Sequence, residues 1–263
     1  MRAVQYHAYG GPEVLQIEEV SDPVAGSAEV VVELRAAGVN PFDWKLRAGY
    51  LKKFFEAQFP VTPGREGAGV ITSVGDGVSG FSPGDEVCLM LRDVKAGTCA
   101  QRVVVPATNI IAKPAGLEFV AAGGFPISGV TAWKALVEVA FVQPGQKVLI
   151  HAGAGGVGGM AIQLAKHLGA EVTTTCSAAN TDYVAHLGAD HVIAYDEVDF
   201  STVLSGLDVV FDTVGGEVHN RSYEVLKAGG MLVYVNAGPV EDQAKDWGVK
   251  RQLAVVENIG PAF

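Results

Sequence analysis

A β-rich first half followed by a doubly wound α/β second half is the fold that this 263-residue sequence predicts. Three observations carry that expectation. Residues 1–124 hold short β-branched runs separated by Gly- and Pro-containing turns. Residues 125–263 hold six short apolar runs, with helical stretches between several of them. At the head of that second half, a glycine cluster sits between a strand-like and a helix-like segment.

In the first half, VVVEL (30–34), GVITSV (69–74), EVCLML (86–91) and RVVV (102–105) read as strands from their β-branched content. The turn signals Asp22-Pro23, Pro63-Gly64, Gly75-Asp76-Gly77 and Ser82-Pro83-Gly84-Asp85 separate these runs. Many short strands with such turns predict a barrel-like β domain over residues 1–124.

In the second half, KVLIH (147–151) is a short buried-type strand. Val157, Ala161, Leu164, Ala165 and Leu168 then recur at helical spacing, and Gly169 supplies a stop. The run EVTTTC (171–176) is the second strand. HVIAY (191–195), LDVVFD (207–212), GMLVYV (230–235) and LAVV (253–256) continue the series, with a helix expected over residues 218–227. Six strands with crossovers predict a doubly wound parallel sheet over residues 125–263.

Strand, glycine turn, helix and strand form the βαβ unit in which Gly153-x-Gly155-x-x-Gly158 carries meaning. Without Cβ atoms, backbone N–H groups close on a pyrophosphate at the positive end of a helix. Gly153, Ala154, Gly155, Gly156, Val157 and Gly158 are therefore candidate cofactor-binding residues. NAD and NADP are separated after the second strand, where an NAD site places Asp or Glu. Thr175, Cys176, Ser177 and Asn180 are neutral, and Asp182 lies several positions too far along. Absence of a carboxylate there favours NADPH, although no Arg or Lys stands nearby to hold its 2′-phosphate.

Composition narrows the function classes. A net charge of −10, with only Lys52-Lys53 and Lys250-Arg251 as short basic clusters, argues against nucleic acid as a partner. No apolar run approaches the ~20 residues of a membrane span. The N-terminus leads straight into a strand pattern, and Cys88, Cys99 and Cys176 form no even framework, so a reduced, cytoplasmic setting is expected.

Four segments, GVNPFDWKLRAG (38–49), PGREGAGVITSVGDGVSGFSPGDEV (63–87), GVTAWKAL (129–136) and HAGAGGVGGMAIQLAKHLGA (151–170), occur in an order that resembles the medium-chain dehydrogenase/reductase superfamily. The nearest branch is its zinc-independent quinone oxidoreductases. The resemblance implies a GroES-like catalytic domain, NADPH, and hydride transfer to a quinone or to the C=C bond of an enone or enal. In zinc-dependent relatives a Cys ligand stands where Asn40 is, and a His ligand where Arg65 is. An amide is a poor zinc ligand and a guanidinium is none. The third ligand region, Pro126-Ile127-Ser128, has no Cys, and the cysteine-rich structural-zinc loop is missing, so no metal is expected.

Without a metal, hydrogen-bond donors must polarise the carbonyl. Asn40, Asp43 and Lys45 lie in the segment that faces the nicotinamide in similar proteins and are the candidate catalytic residues. Asn40 also counts as a cofactor contact. Lys45 is expected to stabilise an enolate oxygen or relay a proton, with Asp43 orienting it. By the same resemblance Thr131 contacts the cofactor, Ser177 and Tyr195 flank the adenosine phosphate, and Asn236 approaches the nicotinamide. Asn180 and Val214 complete the cofactor set.

Two departures stand out. The family's Gly-x-Tyr-Ala-Glu reads Gly97-Thr98-Cys99-Ala100-Gln101 here, and the sequence ends just past the sixth strand, implying a C-terminally incomplete catalytic domain. An NADPH-binding sensor or partner protein without turnover, or a biosynthetic enzyme of different reaction type on the same scaffold, are the alternative functions. The sixth strand, as an apolar sheet edge, predicts a homodimer paired through residues 253–256.

Overall fold

The computed structural model describes residues 1–55, 57–92, 96–235 and 240–256. These form two compact units that divide between Ile127 and Ser128.

The first unit is built on strands β1 (Arg2–Gln5), β2 (Gln16–Glu19), β3 (Glu29–Ala37), β4 (Glu66–Val74), β5 (Glu86–Met90), β6 (Arg102–Pro106) and β7 (Ile110–Ala112). Five of them make an antiparallel sheet in the order β6-β3-β4-β5-β7, and β1 and β2 form a separate pair. The β-branched content explains this choice, since alternate side chains of the strands share one face. Val30, Val32, Ile71, Val87, Leu89, Val103 and Val105 fill the resulting core. Helix α1 (Pro41–Arg47) leaves the end of β3, and α2 (Phe119–Gly124) packs over Ala68 and Cys88. Helix α3 (Pro126–Trp133) follows at once and runs on into a π-helical stretch, Lys134–Val139.

The second unit is a six-stranded sheet of β8 (Lys147–Ile150), β9 (Glu171–Cys176), β10 (His191–Ala194), β11 (Leu207–Asp212), β12 (Leu226–Tyr234) and β13 (Lys250–Leu253). Its order is β10-β9-β8-β11-β12-β13, and every pairing is parallel. The connecting helices are α4 (Gly156–His167), α5 (Thr181–His186), α6 (Phe200–Val203), α7 (Glu217–Ser222) and α8 (Ala244–Trp247). Alternation along single strands fills both faces. Val148, Ile150, Val209, Phe211 and Val233 point into one core with α4, while Leu149, Val210 and Leu232 point into the other with Phe200 and Tyr223. The chain runs outward one way from β8 to β10 and the other way from β11 to β13. The switch point therefore lies between β8 and β11, where such sheets bind ligands.

Two expectations from the sequence need correction. The helix expected over 218–227 ends at Ser222, and β12 has begun by Leu226, which pairs with Leu207. The Ala228-Gly229-Gly230 turn is an irregularity inside that strand, with the register shifting before Val209 pairs with Met231. The sixth strand is Lys250–Leu253, earlier than the apolar run 253–256. It is an edge strand, as expected, but a largely polar one. Arg251 finds its place by lying over the Tyr234 ring, 4.6 Å from its centroid.

Candidate active site and cofactor cradle

The glycine loop follows directly from β8. His151 is buried, Ala152 takes φ +55°, and Gly155 caps α4. The glycines have separate duties. A Cβ on Gly153 would meet Thr174 Oγ1 at 2.1 Å, and one on Gly158 would meet the Ala152 carbonyl at 2.2 Å. Those two allow the loop to sit tightly against β9 and α4. A Cβ on Gly155 would find only the Ala152 oxygen, at 3.3 Å, so its surroundings are open. The first turn of α4 has no acidic residue and no side-chain cap, leaving its N–H groups for a ligand. Ser128, buried on α3, places its Oγ 2.8 Å from where a Gly156 methyl would stand. Sequence reading did not single out Ser128. The cradle fits a pyrophosphate: open space at Gly155, free donors and no opposing carboxylate.

At the end of β9, Asn180 Nδ2 donates to Ser177 Oγ at 2.9 Å, and the Tyr195 amide donates to the Cys176 carbonyl at 2.9 Å. The fold thus gathers Ser177, Asn180 and Tyr195 at one place. It also brings Asp196 there, whose Oδ1 accepts from the Ala178 N–H at 2.9 Å. The reading that this strand end is free of carboxylates is corrected: the acid comes from the turn after the neighbouring strand β10, 18 residues beyond Ala178.

At the end of β11, Asp212 is fully buried and accepts from the amides of Val214 (2.8 Å) and Gly215 (2.9 Å). Its other oxygen meets His219 Nδ1 at 2.8 Å. Arg251 Nε donates to His219 Nε2 at 3.3 Å, and the Tyr223 hydroxyl lies 3.3 Å from the same nitrogen. Although burial opposes it, the His219 bond and the two amides hold the Asp212 carboxyl below its usual range. His151 contacts Thr175 Oγ1 and Ser222 Oγ, both at 3.1 Å, and burial drives its pKa down to about 4. Val214 is half exposed in the loop that follows β11. Thr131 is buried on α3. Asn236 lies outside the described residues.

In the first unit, Asn40 is the N-cap of α1 and Pro41 its first residue. The Asn40 amide N–H donates to Asp43 Oδ2 at 2.7 Å, so Asp43 closes the start of its own helix. Burial raises the Asp43 pKa, against the backbone hydrogen bonds and the nearby Arg65 charge. Lys45 is exposed, with its Nζ 5.8 Å from the Trp44 ring centroid. The expectation that Asp43 orients Lys45 is corrected: helix positions two apart do not face each other, and the Asp43 carboxylate is spent on the cap. Asn40 Nδ2 donates to Glu66 Oε1 at 2.6 Å. Arg65 lies over Phe42, 4.4 Å from its centroid, and donates through Nε to the Leu91 carbonyl. Among the described residues no three of His, Cys, Asp and Glu gather as a metal site. An amide donor and a stacked guanidinium at the two ligand positions do not fit zinc.

A GroES-like module joined to a dinucleotide-type sheet defines a two-module oxidoreductase of the nicotinamide-dependent class. Residues 26–140 match the alcohol dehydrogenase GroES-like domain, and residues 156–257 match the zinc-binding dehydrogenase family. The chain is 37% identical to the chloroplastic quinone oxidoreductase QR1 of Triphysaria versicolor, over 91% of this chain and 76% of that one. It is 34% identical to the chloroplastic NADPH-dependent alkenal/one oxidoreductase of Arabidopsis thaliana, over 89% and 62%. The solved quinone oxidoreductase of Escherichia coli complexed with NADPH superposes with a TM-score of 0.87 at 29% identity, covering 96% of this chain and 80% of that one. The chain belongs to the medium-chain dehydrogenase/reductase superfamily, in its quinone oxidoreductase branch. No helix among the described residues is long and apolar enough to cross a membrane.

Proposed function

We propose that the protein transfers hydride from NADPH to a quinone or to the activated C=C bond of an enone or enal, without a metal. The observation that carries this reading is the open cradle at Gly155, set at the N-terminus of a helix free of acidic residues. Gly153 to Gly158 hold the pyrophosphate in this reading, with Ser177, Asn180 and Tyr195 around the adenosine phosphate. Thr131, Val214 and Asn236 serve the nicotinamide end. Bound NADPH supplies the hydride. Asn40 holds the substrate carbonyl oxygen through its amide, and the exposed Lys45 delivers a proton to the reduced product. Asp43 serves by fixing the helix start from which Asn40 projects. Two relatives whose names or titles mention NADPH support the donor, while Asp196 moderates the preference over NADH.

Steady-state oxidation of NADPH and NADH against a panel of small quinones, enones and enals tests the proposal. Turnover with at least one acceptor, insensitive to chelators, is the expected result. Tight NADPH binding with no turnover across the panel would instead support the sensor reading.

A further inference from the structure

Glu66 is the first residue of β4 and is 1% exposed. It takes part in none of the ion pairs among the described residues, yet both its oxygens are committed. Oε1 accepts from Asn40 Nδ2 at 2.6 Å, and Oε2 accepts from the Ile127 N–H at 2.7 Å. The carboxylate packs against Gly38, where any Cβ would stand 2.3 Å from Oε1, so the glycine makes room for it. An ionised carboxylate is acceptor-only, so it dictates which end of the Asn40 amide faces it. Left to itself, an Asn side chain turns about χ2 between two nearly equal orientations.

Burying an anion beside two neutral donors is costly, and burial raises the Glu66 pKa accordingly. A neutral side chain of the same shape would serve packing as well or better. The retention of a charge here therefore needs a reason other than stability.

We propose that Glu66 is a positioning residue for turnover, locking the Asn40 amide in the orientation that meets the substrate. This rests on the reading of Asn40 as the substrate-carbonyl contact. Glu66→Gln keeps the shape and removes the charge, but its amide nitrogen now meets a donor on one side. Either Asn40 reverses or the Ile127 N–H loses its acceptor.

A double-mutant cycle in the full chain tests this. Glu66→Gln with Asn40 reversed keeps both hydrogen bonds, and is expected to lower kcat about tenfold while leaving NADPH affinity and Tm near the wild-type values. Asn40→Ala is expected to lower kcat by a similar factor, and the double variant to be no slower than Asn40→Ala alone. Should Glu66→Gln not fold, Glu66→Asp, which withdraws the carboxylate by one methylene, takes its place in the cycle. Independent, multiplying losses would overturn the positioning role while leaving the Asn40 reading intact. Full turnover in Asn40→Ala would overturn both. A Glu66→Gln variant that loses kcat only in proportion to lost folded protein would show a structural role and refute the proposal.

Discussion

Gly155→Ala and Gly158→Ala add the same methyl group three residues apart, and the structure assigns them opposite consequences. At Gly158 the new Cβ would lie 2.2 Å from the Ala152 oxygen and 2.8 Å from Gly153 Cα, both backbone atoms. Relieving that contact requires about 1 Å of backbone movement to regain ordinary separation. Overpacking of this kind costs about 1–3 kcal/mol. Tm should fall by roughly 2–4 °C for each kcal/mol in a domain of this size. At Gly155 the backbone is extended, with φ −81° and ψ 167°, and the nearest atom is 3.3 Å away. The stiffer unfolded chain contributes about 0.4–1 kcal/mol, which roughly offsets the weaker N-cap. Stability should stay level, but the methyl enters the space that the proposed function gives to phosphate oxygens. A tenfold loss of NADPH affinity, about 1.4 kcal/mol, is the expected minimum. Thermal unfolding and NADPH fluorescence titration on both variants separate the two effects. Wild-type affinity in a fully folded Gly155→Ala variant would show that the loop is a turn and not a cradle.

Asp196→Asn should shift the NADPH-to-NADH affinity ratio toward NADPH by about five- to tenfold, from roughly 0.7 kcal/mol per charge at ~6 Å in water acting on a doubly charged 2′-phosphate; an unchanged ratio would place Asp196 away from that phosphate. His151, with its pKa held down mainly by burial to about 4 against 6.5 unfolded, contributes stability that is complete above pH 6.5. That contribution fades as pH falls toward 4, by on the order of 3 kcal/mol. Urea unfolding at several pH values should show this loss, and His151→Gln should flatten it. Elemental analysis of the purified protein should find no stoichiometric zinc, and one zinc per chain would contradict the donor set at Asn40 and Arg65. A dimer paired along the β13 edge should be broken by Val255→Asp, which stands half exposed just past that strand. Light scattering that finds the wild-type chain monomeric at about micromolar concentration would dismiss that edge as an interface.

Buried strands were legible because burial demands a composition. KVLI, EVTTTC and LDVVFD carry β-branched or large apolar residues at nearly every position, as parallel strands covered on both faces must. The β13 strand escaped because an edge need satisfy only one neighbour, and KRQL does so with a guanidinium over a ring. The glycine loop was visible for a local reason, since its spacing is dictated within a single turn. Asp196 and Glu66 were not visible as partners. Their contacts to Ala178 and Asn40 span 18 and 26 residues and depend on strand pairing that no local pattern records. His219 illustrates the same limit. Its sequence neighbours describe an ordinary polar helix, and only the fold turns it toward Asp212.

The line of contacts from Arg251 through His219 to Asp212 has a practical meaning for anyone wishing to dissect this molecule. Asp212 pins the amides of Val214 and Gly215, and His219 in turn is flanked by a residue of the outermost strand. A shortened nucleotide-binding fragment that stopped after β12 would keep its glycine loop and most of its core. It would strip the Arg251 guanidinium from a buried aspartate–histidine pair whose aspartate ends the strand two places inward in the sheet. The smallest portable version of this module must therefore carry its own margin.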